Sequence, residues 1–349
     1  MTTHTLVVRS DNAGDVLLAG PAVRAVAHGS DRVTLLAGPH GRSAAELLPG
    51  VDEVLAWRCP WIDPAPEAVR REDVDALVAV LEGRRFDRAL VLTSFHQSPL
   101  PMALVLRLAG VPWVGATSVD YPGSLLDLRH SVDEQLPEAE RALSLAVAAG
   151  FRLPEGDTGA LAVRRPLPPV AAPLPEPPFV VLHPGTSVPA RAWPVDRYAD
   201  ACRLLLAEGH RVVVTGAPSE TDLTAAVAAG TDAWDLGGRT SLTELASVLD
   251  AAAVVVVGNT GPAHLAAAVG TPVVSLFAPT VRAERWAPYQ VPTVLLGDQQ
   301  AVCRDTRVTR CPFPGHPCLT SVTATDVVAA VEKLGGSFVA CAGPERRTR

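Results

Sequence analysis

Residues 254–280, VVVVGNTGPAHLAAAVGTPVVSLFAPT, decide the fold. The β-branched run 254–257 is long enough for a buried strand. Gly258-Asn259-Thr260-Gly261-Pro262 interrupts it with turn chemistry. Residues 263–269 then have the composition of a short helix, with Pro262 at its entrance and Gly270 placed to end it in the left-handed conformation. A second strand over 273–277 completes a βαβ unit, so the two strands are expected to run parallel. In parallel sheets ligands sit outside the carboxyl ends of the strands. The loop 258–262 lies there and feeds a helix N-terminus, whose free N–H groups and dipole favour an anion. His264, in the first turn, either adds a donor to that anion or packs as an ordinary histidine against the sheet; spacing alone does not separate the two.

The same stretch resembles the signature of the heptosyltransferase-like glycosyltransferases, glycosyltransferase family 9. That signature reads D-[TS]-G-x-x-H-L-x-A-A-x-G-x-P, followed by a strand and G-P-T. Thr260, Gly261, His264 and the Pro279-Thr280 pair match it, whereas Asn259 stands where Asp is usual and Ala278 where Gly is usual. The resemblance implies that Thr260, Gly261, Pro262 and His264 hold the diphosphate of a nucleotide-sugar donor, with Asn259 beside the donor's sugar.

Upstream, residues 5–9 form a first strand. SDNAGD is a polar turn, and residues 16–27 carry helix-like spacing that Pro21 bends or delays. Asp15 is either a carboxylate of the first helical turn or a general base on the loop after the strand. Family members show a similar strand, then G-D-V/I and an early proline, and their Asp at this position acts as catalytic base; Gly14-Asp15-Val16 and Pro21 match. Further strands are expected at 32–36, 53–55 and 87–92, and helices at 75–82 and 101–108. His96 and Gln97 follow a strand's carboxyl end and are either acceptor contacts or loop surface. Residues 117–135 read as polar and irregular.

The proline-rich stretch 166–178 (PLPPVAAPLPEPP) marks a stiff linker and the domain boundary. Residues 1–165 form an N-terminal Rossmann-like acceptor domain on this reading, 179–335 a C-terminal nucleotide-sugar domain and 336–349 a tail. In the second half, strand 179–183 leads into Pro184-Gly185-Thr186-Ser187, then Arg191-Ala192-Trp193-Pro194 and a helix over 195–208. Hydroxyls and a guanidinium fork suit a diphosphate, although the same residues also make a plain loop. Family members have K-x-W-P here, so the resemblance assigns Thr186, Ser187 and Arg191 to the diphosphate, with Arg in place of Lys. Gly216-Ala217-Pro218-Ser219-Glu220 is similar to the family's G-x-P-x-E, whose Glu binds the ribose hydroxyls; otherwise Glu220 is a first-turn acid. Ser241-Leu242-Thr243-Glu244 reads as a capping box.

Composition narrows the function. The 349 residues are 48% hydrophobic with a net charge of −7, which suits two ordinary domains and gives no support for nucleic-acid binding. Lys333 is the only lysine. The N-terminus does not read as a signal peptide, and no apolar run approaches the ~20 residues of a membrane span. A cytoplasmic location is expected, with docking at a membrane surface left open. Cys303, Cys311, His316 and Cys318 lack paired C-x-x-C spacing, so packing is favoured over zinc.

The expectation is therefore an α/β protein of the GT-B type, two Rossmann-like domains facing across a cleft. The resemblance implies inverting, metal-independent transfer from ADP-heptose to a hydroxyl of a glycan, lipid-linked or small-molecule acceptor, with no cofactor. Two alternatives stay open on the same fold, a sugar-nucleotide epimerase or hydrolase and a non-catalytic nucleotide-sugar-binding protein. A Rossmann oxidoreductase is disfavoured because no G-x-G-x-x-G follows the first strand.

Overall fold

The computed structural model describes residues 3–133 and 135–339. The chain divides into two compact units, Met1–Arg165 and Pro166–Arg349. The first carries strands β1 (His4–Arg9), β2 (Arg32–Ala37), β3 (Glu53–Ala56), β4 (Arg88–Val91), β5 (Val114–Thr117) and β6 (Leu128–His130). The second carries β7 (Val180–His183), β8 (Val212–Gly216), β9 (Trp234–Gly237), β10 (Val254–Gly258), β11 (Val273–Leu276) and β12 (Thr293–Leu296). The described residues form two six-stranded sheets, ordered β3-β2-β1-β4-β5-β6 and β12-β11-β10-β7-β8-β9. Every strand pair is parallel. Counted from each unit's first strand, both orders are 3-2-1-4-5-6, the doubly wound arrangement in which the strand order reverses between strands 1 and 4. That places one switch point at β1/β4 and the other at β7/β10.

Burial on both faces explains the strand sequences. Val254, Val255, Val256 and Val257 are all fully buried, as a sheet covered by helices on both sides requires. Burying each such valine stabilises by about 1.5 kcal/mol or more. One core of the second unit gathers Val180, Leu182, Val212, Val214, Val254, Val256, Val274 and Leu276 with the helix residues Tyr198, Cys202, Leu205, Val327 and Val331. In the first unit Leu6, Val8, Leu36, Ala89 and Val91 pack with Leu77, Leu81, Met102 and Leu106.

The helix anticipated at 263–269 starts two residues earlier, at Gly261–Val269, with Pro262 in its first turn and Gly270 ending it at φ 89°. The helix anticipated at 16–27 is broken into Ala13–Leu18 and Gly20–His28, with Pro21 in the first turn of the second piece. Proline cannot donate to the preceding turn, so the chain restarts there. Strand β6 lies within the stretch read as irregular; its three residues, LRH, carry no apolar run and extend by pairing with β5. Residues 166–178 form neither helix nor strand, and the Pro168 carbonyl accepts from Ser247 Oγ at 2.7 Å. The last helix, Ala324–Val339, runs into the segment expected to be a tail; residues 340–349 lie outside the described residues.

Candidate active site

At the first switch point β1 ends in Arg9, a guanidinium that is only 2% exposed. Its Nε lies 2.9 Å from Asp11 Oδ2, and its Nη2 donates to Asp15 Oδ1 at 3.1 Å and to Ser94 Oγ at 3.0 Å. Ser94 follows β4, so the arginine ties together the loops of the two strands that flank the switch. Glu138 approaches from the start of the helix Glu138–Ala148, with Oε2 at 3.9 Å from Arg9 Nη2 and 3.8 Å from Arg141 Nη1. Arg141 also donates to the Thr93 carbonyl. The side chain of Asp15 keeps 18% of its surface exposed. Its carboxyl is pushed up to about 7, chiefly by burial and then by the Asp11 charge, with Arg9 pulling the other way. A carboxylate held near neutrality suits a general base. Gln97, weighed above as an acceptor contact or loop surface, donates to Asp11 Oδ1 at 2.5 Å and accepts from Ser94 N at 2.9 Å. Burial lowers His130, outside this cluster, below its ordinary value.

At the second switch point three loops meet. The loop after β7 carries Gly185, Thr186 and Ser187. Glu220, closing the 3-10 turn Pro218–Glu220, accepts from Ala217 N at 2.8 Å, and its carboxylate lies directly over Gly185. A side-chain carbon on residue 185 would meet that carboxylate and push the end of the Glu220 side chain aside. The Thr186 hydroxyl is engaged within its own loop, accepting from Val188 N at 3.2 Å, while Ser187 is exposed. Arg191, half-buried on the 3-10 turn Pro189–Arg191, donates to the Asn259 carbonyl at 3.4 Å, which brings its loop against the end of β10. Asn259 and His264 are each 4% exposed. Asn259 Nδ2, Thr260 Oγ1 and His264 Nδ1 are buried without a hydrogen-bond partner. Unpartnered buried polar atoms are uncommon and costly. Here they gather at the N-terminus of the helix Gly261–Val269, with Gly261 and Pro262 in its first turn. Burial, and then the Arg191 charge, lowers His264 to about 4, so it is a neutral imidazole at pH 7.

Of the residues singled out from sequence, the second unit thus brings together Glu220 with the 185–187 loop and Arg191 with Asn259, Thr260, Gly261, Pro262 and His264. Asp15 belongs to the first unit, in a cluster of its own. Sequence reasoning missed Arg9, Asp11, Glu138 and Arg141. A charge ending an otherwise apolar strand (TLVVR) was the available signal for Arg9. It also missed Thr280 as a candidate: its hydroxyl, just beyond β11, is buried without a partner. It missed His183 at the end of β7, whose Nδ1 lies 2.9 Å from Thr215 Oγ1. His183 is lowered to about 4 by burial, against the pull of Glu220. In the cysteine-bearing loop, burial and the neighbouring thiols of Cys303 and Cys311 push Cys318 up to about 12. His316 Nε2 lies 3.1 Å from the Ala190 carbonyl oxygen. No helix among the described residues is long and apolar enough to cross a membrane.

Comparison with known proteins supplies the family. The model of glycosyltransferase family 9 (heptosyltransferase) matches residues 74–316. Lipopolysaccharide heptosyltransferase 3 of Escherichia coli K12 is 31% identical over 163 residues, 45% of this chain and 46% of that protein. The chain thus spans about half the length of the first curated relatives it matches. Lipopolysaccharide heptosyltransferase 1 of Salmonella typhimurium is 28% identical over 298 residues, 79% of this chain and 89% of that protein. The structure of Escherichia coli ADP-heptose lipopolysaccharide heptosyltransferase II superposes with a TM-score of 0.75 at 20% identity, covering 97% of this chain and all of that one. At that identity the likeness speaks for the fold.

Proposed function

The chain belongs to glycosyltransferase family 9, and from that premise we propose that it transfers a heptose from ADP-heptose to a hydroxyl of an envelope glycan or small-molecule acceptor. The observation that carries this reading is the set of buried polar atoms without partners, Asn259 Nδ2, Thr260 Oγ1 and His264 Nδ1, around a helix entrance. They suit an anion that this chain does not itself provide, and a diphosphate fits.

On this reading Glu220 accepts hydrogen bonds from the ribose hydroxyls. Arg191, His264, Thr260 and the N–H groups after Gly261 bind the diphosphate, with Pro262 setting the helix entrance. Thr186 and Ser187 contribute through their loop, and Asn259 faces the donor sugar. As the glycosidic bond breaks, negative charge grows on the leaving ADP, and donors already in place lower the barrier without reorganising. Fixed donors and a guanidinium do here what a metal ion does in other transferases. Asp15 takes the proton of the acceptor hydroxyl while that oxygen attacks the anomeric carbon, and a single displacement inverts the centre. Asn259 in place of the family's usual Asp keeps hydrogen bonding but removes a charge beside the sugar.

The test is calorimetric or thermal-shift binding of ADP, UDP, GDP, dTDP and ADP-heptose to the purified protein, since a ligand bound only by the folded chain raises its stability. Selective stabilisation by ADP and ADP-heptose, abolished in Glu220→Ala, is the expected result. Selective binding of another nucleotide would replace the donor, and no response to any of them would sink the transferase reading.

A further inference from the structure

Two guanidinium groups, Arg9 and Arg141, face three carboxylates, Asp11, Asp15 and Glu138, behind the first switch point. The contacts are close: 2.9 Å and 3.1 Å from Arg9 to the two aspartates, and 3.9 Å and 3.8 Å from Glu138 to the two arginines. We propose that Arg9, Asp11 and Glu138 are positioning residues that hold Asp15 and set the pH at which it works as a base. The inference rests on Asp15 being the base.

The charge inventory supports it. Fully ionised, the cluster carries one net negative charge in a place where Arg9 and Glu138 are each 2% exposed. Like charges at short range oppose a further ionisation, so uptake of one proton returns the cluster to neutrality. Asp15 is the member that can exchange that proton with a substrate, because it keeps the most contact with solvent among the three (Asp11 9%, Asp15 18%, Glu138 2% side-chain exposure). Arg9 fixes its direction: one nitrogen donates to Asp15 and Ser94, another meets Asp11, and Gln97 holds Asp11 from the opposite side. The rise of Asp15 toward neutrality has the Asp11 and Glu138 charges among its causes, after burial. Other charged groups on neighbouring elements are Glu140 beside Glu138, His40 on the turn Pro39–Gly41, Arg42 and Glu46 on the helix Arg42–Leu47, and Arg24 and His28 on Gly20–His28. His28, His40, Arg42 and Glu46 are exposed and screened by water, and Arg24 is paired with Asp157 at 2.7 Å.

The experiment is a 13C-carboxyl NMR titration of the full-length protein without substrate, the Asp15 resonance being assigned by its absence in Asp15→Asn. It is run alongside the pH profile of kcat/KM with ADP-heptose. Removing the largely buried loop charge in Asp11→Asn should lower the Asp15 midpoint by on the order of one pH unit, and the acid limb of the profile should move with it. Glu138→Gln should move both in the same direction by less. A midpoint that stays put in Asp11→Asn overturns the proposal even if Asp15→Asn is inactive, which would leave the base assignment standing. Normal turnover in Asp15→Asn would instead remove the base, and the proposal with it.

Discussion

Between β1 and β4 the first sheet gathers ions of opposite sign that pair with one another, with a buried arginine shared by Asp11, Asp15 and, at longer range, Glu138. Between β7 and β10 the second sheet, of the same strand order, gathers polar groups left unsatisfied, an amide, a hydroxyl and a neutral imidazole at a helix entrance. One fold thus offers the same crevice twice, and the side chains decide its chemistry. On the proposed reading, an ion cluster with one net negative charge handles a proton. On the same reading, a set of preorganised polar groups handles an anion.

The largest effect that separates the two crevices is on turnover. Asp15→Asn should lose between about 100- and 10,000-fold in the ADP-heptose-dependent transfer rate, with donor affinity kept; near-normal turnover would break the comparison on the first unit's side. His264→Gln should lose about 100-fold in kcat/KM, the range for removing one donor to developing charge, and should weaken ADP as well. Steady-state kinetics on both variants measures the contrast.

Proton linkage should also differ in sign. The folded chain keeps a proton on Asp15 that an unfolded aspartate has released, because this carboxyl is raised to about 7. Stability therefore falls as pH rises from the ordinary carboxylate range toward 7. His264 does the reverse: between about 4 and 6.5 an unfolded histidine takes up a proton that the buried one refuses, so stability rises with pH across that window. In denaturant midpoints measured between about pH 4 and 6.5, Asp15→Asn should make the slope with pH more positive and His264→Gln less positive, with His183, also lowered to about 4, keeping its own rising contribution. Gly185→Ala should lower ADP affinity by displacing the Glu220 carboxylate while changing stability little, which calorimetry and urea unfolding would show. The smallest change sharpens the comparison as a control. Ser241 caps its helix by accepting from Glu244 N at 3.2 Å, so Ser241→Ala should cost about 1 kcal/mol and leave ADP binding unchanged.

Much of this was legible in the sequence because the decisive features are local. A valine run, a glycine-bearing turn and an entrance proline specify β10 and the helix after it, and the Ser241/Glu244 spacing specifies a cap. What stayed hidden depends on contacts between distant residues. Arg9 and Glu138 lie 129 positions apart in the sequence and meet only through the sheet and its helices. Strand β6 has no pattern of its own and exists because β5 offers an edge. The turn that engages the Thr186 hydroxyl with Val188 N was likewise not readable from residue type.

The most direct test is an ADP titration by calorimetry of Asp15→Asn and His264→Gln side by side with the wild-type chain. The account predicts wild-type ADP affinity in Asp15→Asn and markedly weaker binding in His264→Gln. Affinity lost in Asp15→Asn and retained in His264→Gln would contradict the division of chemistry between the two crevices.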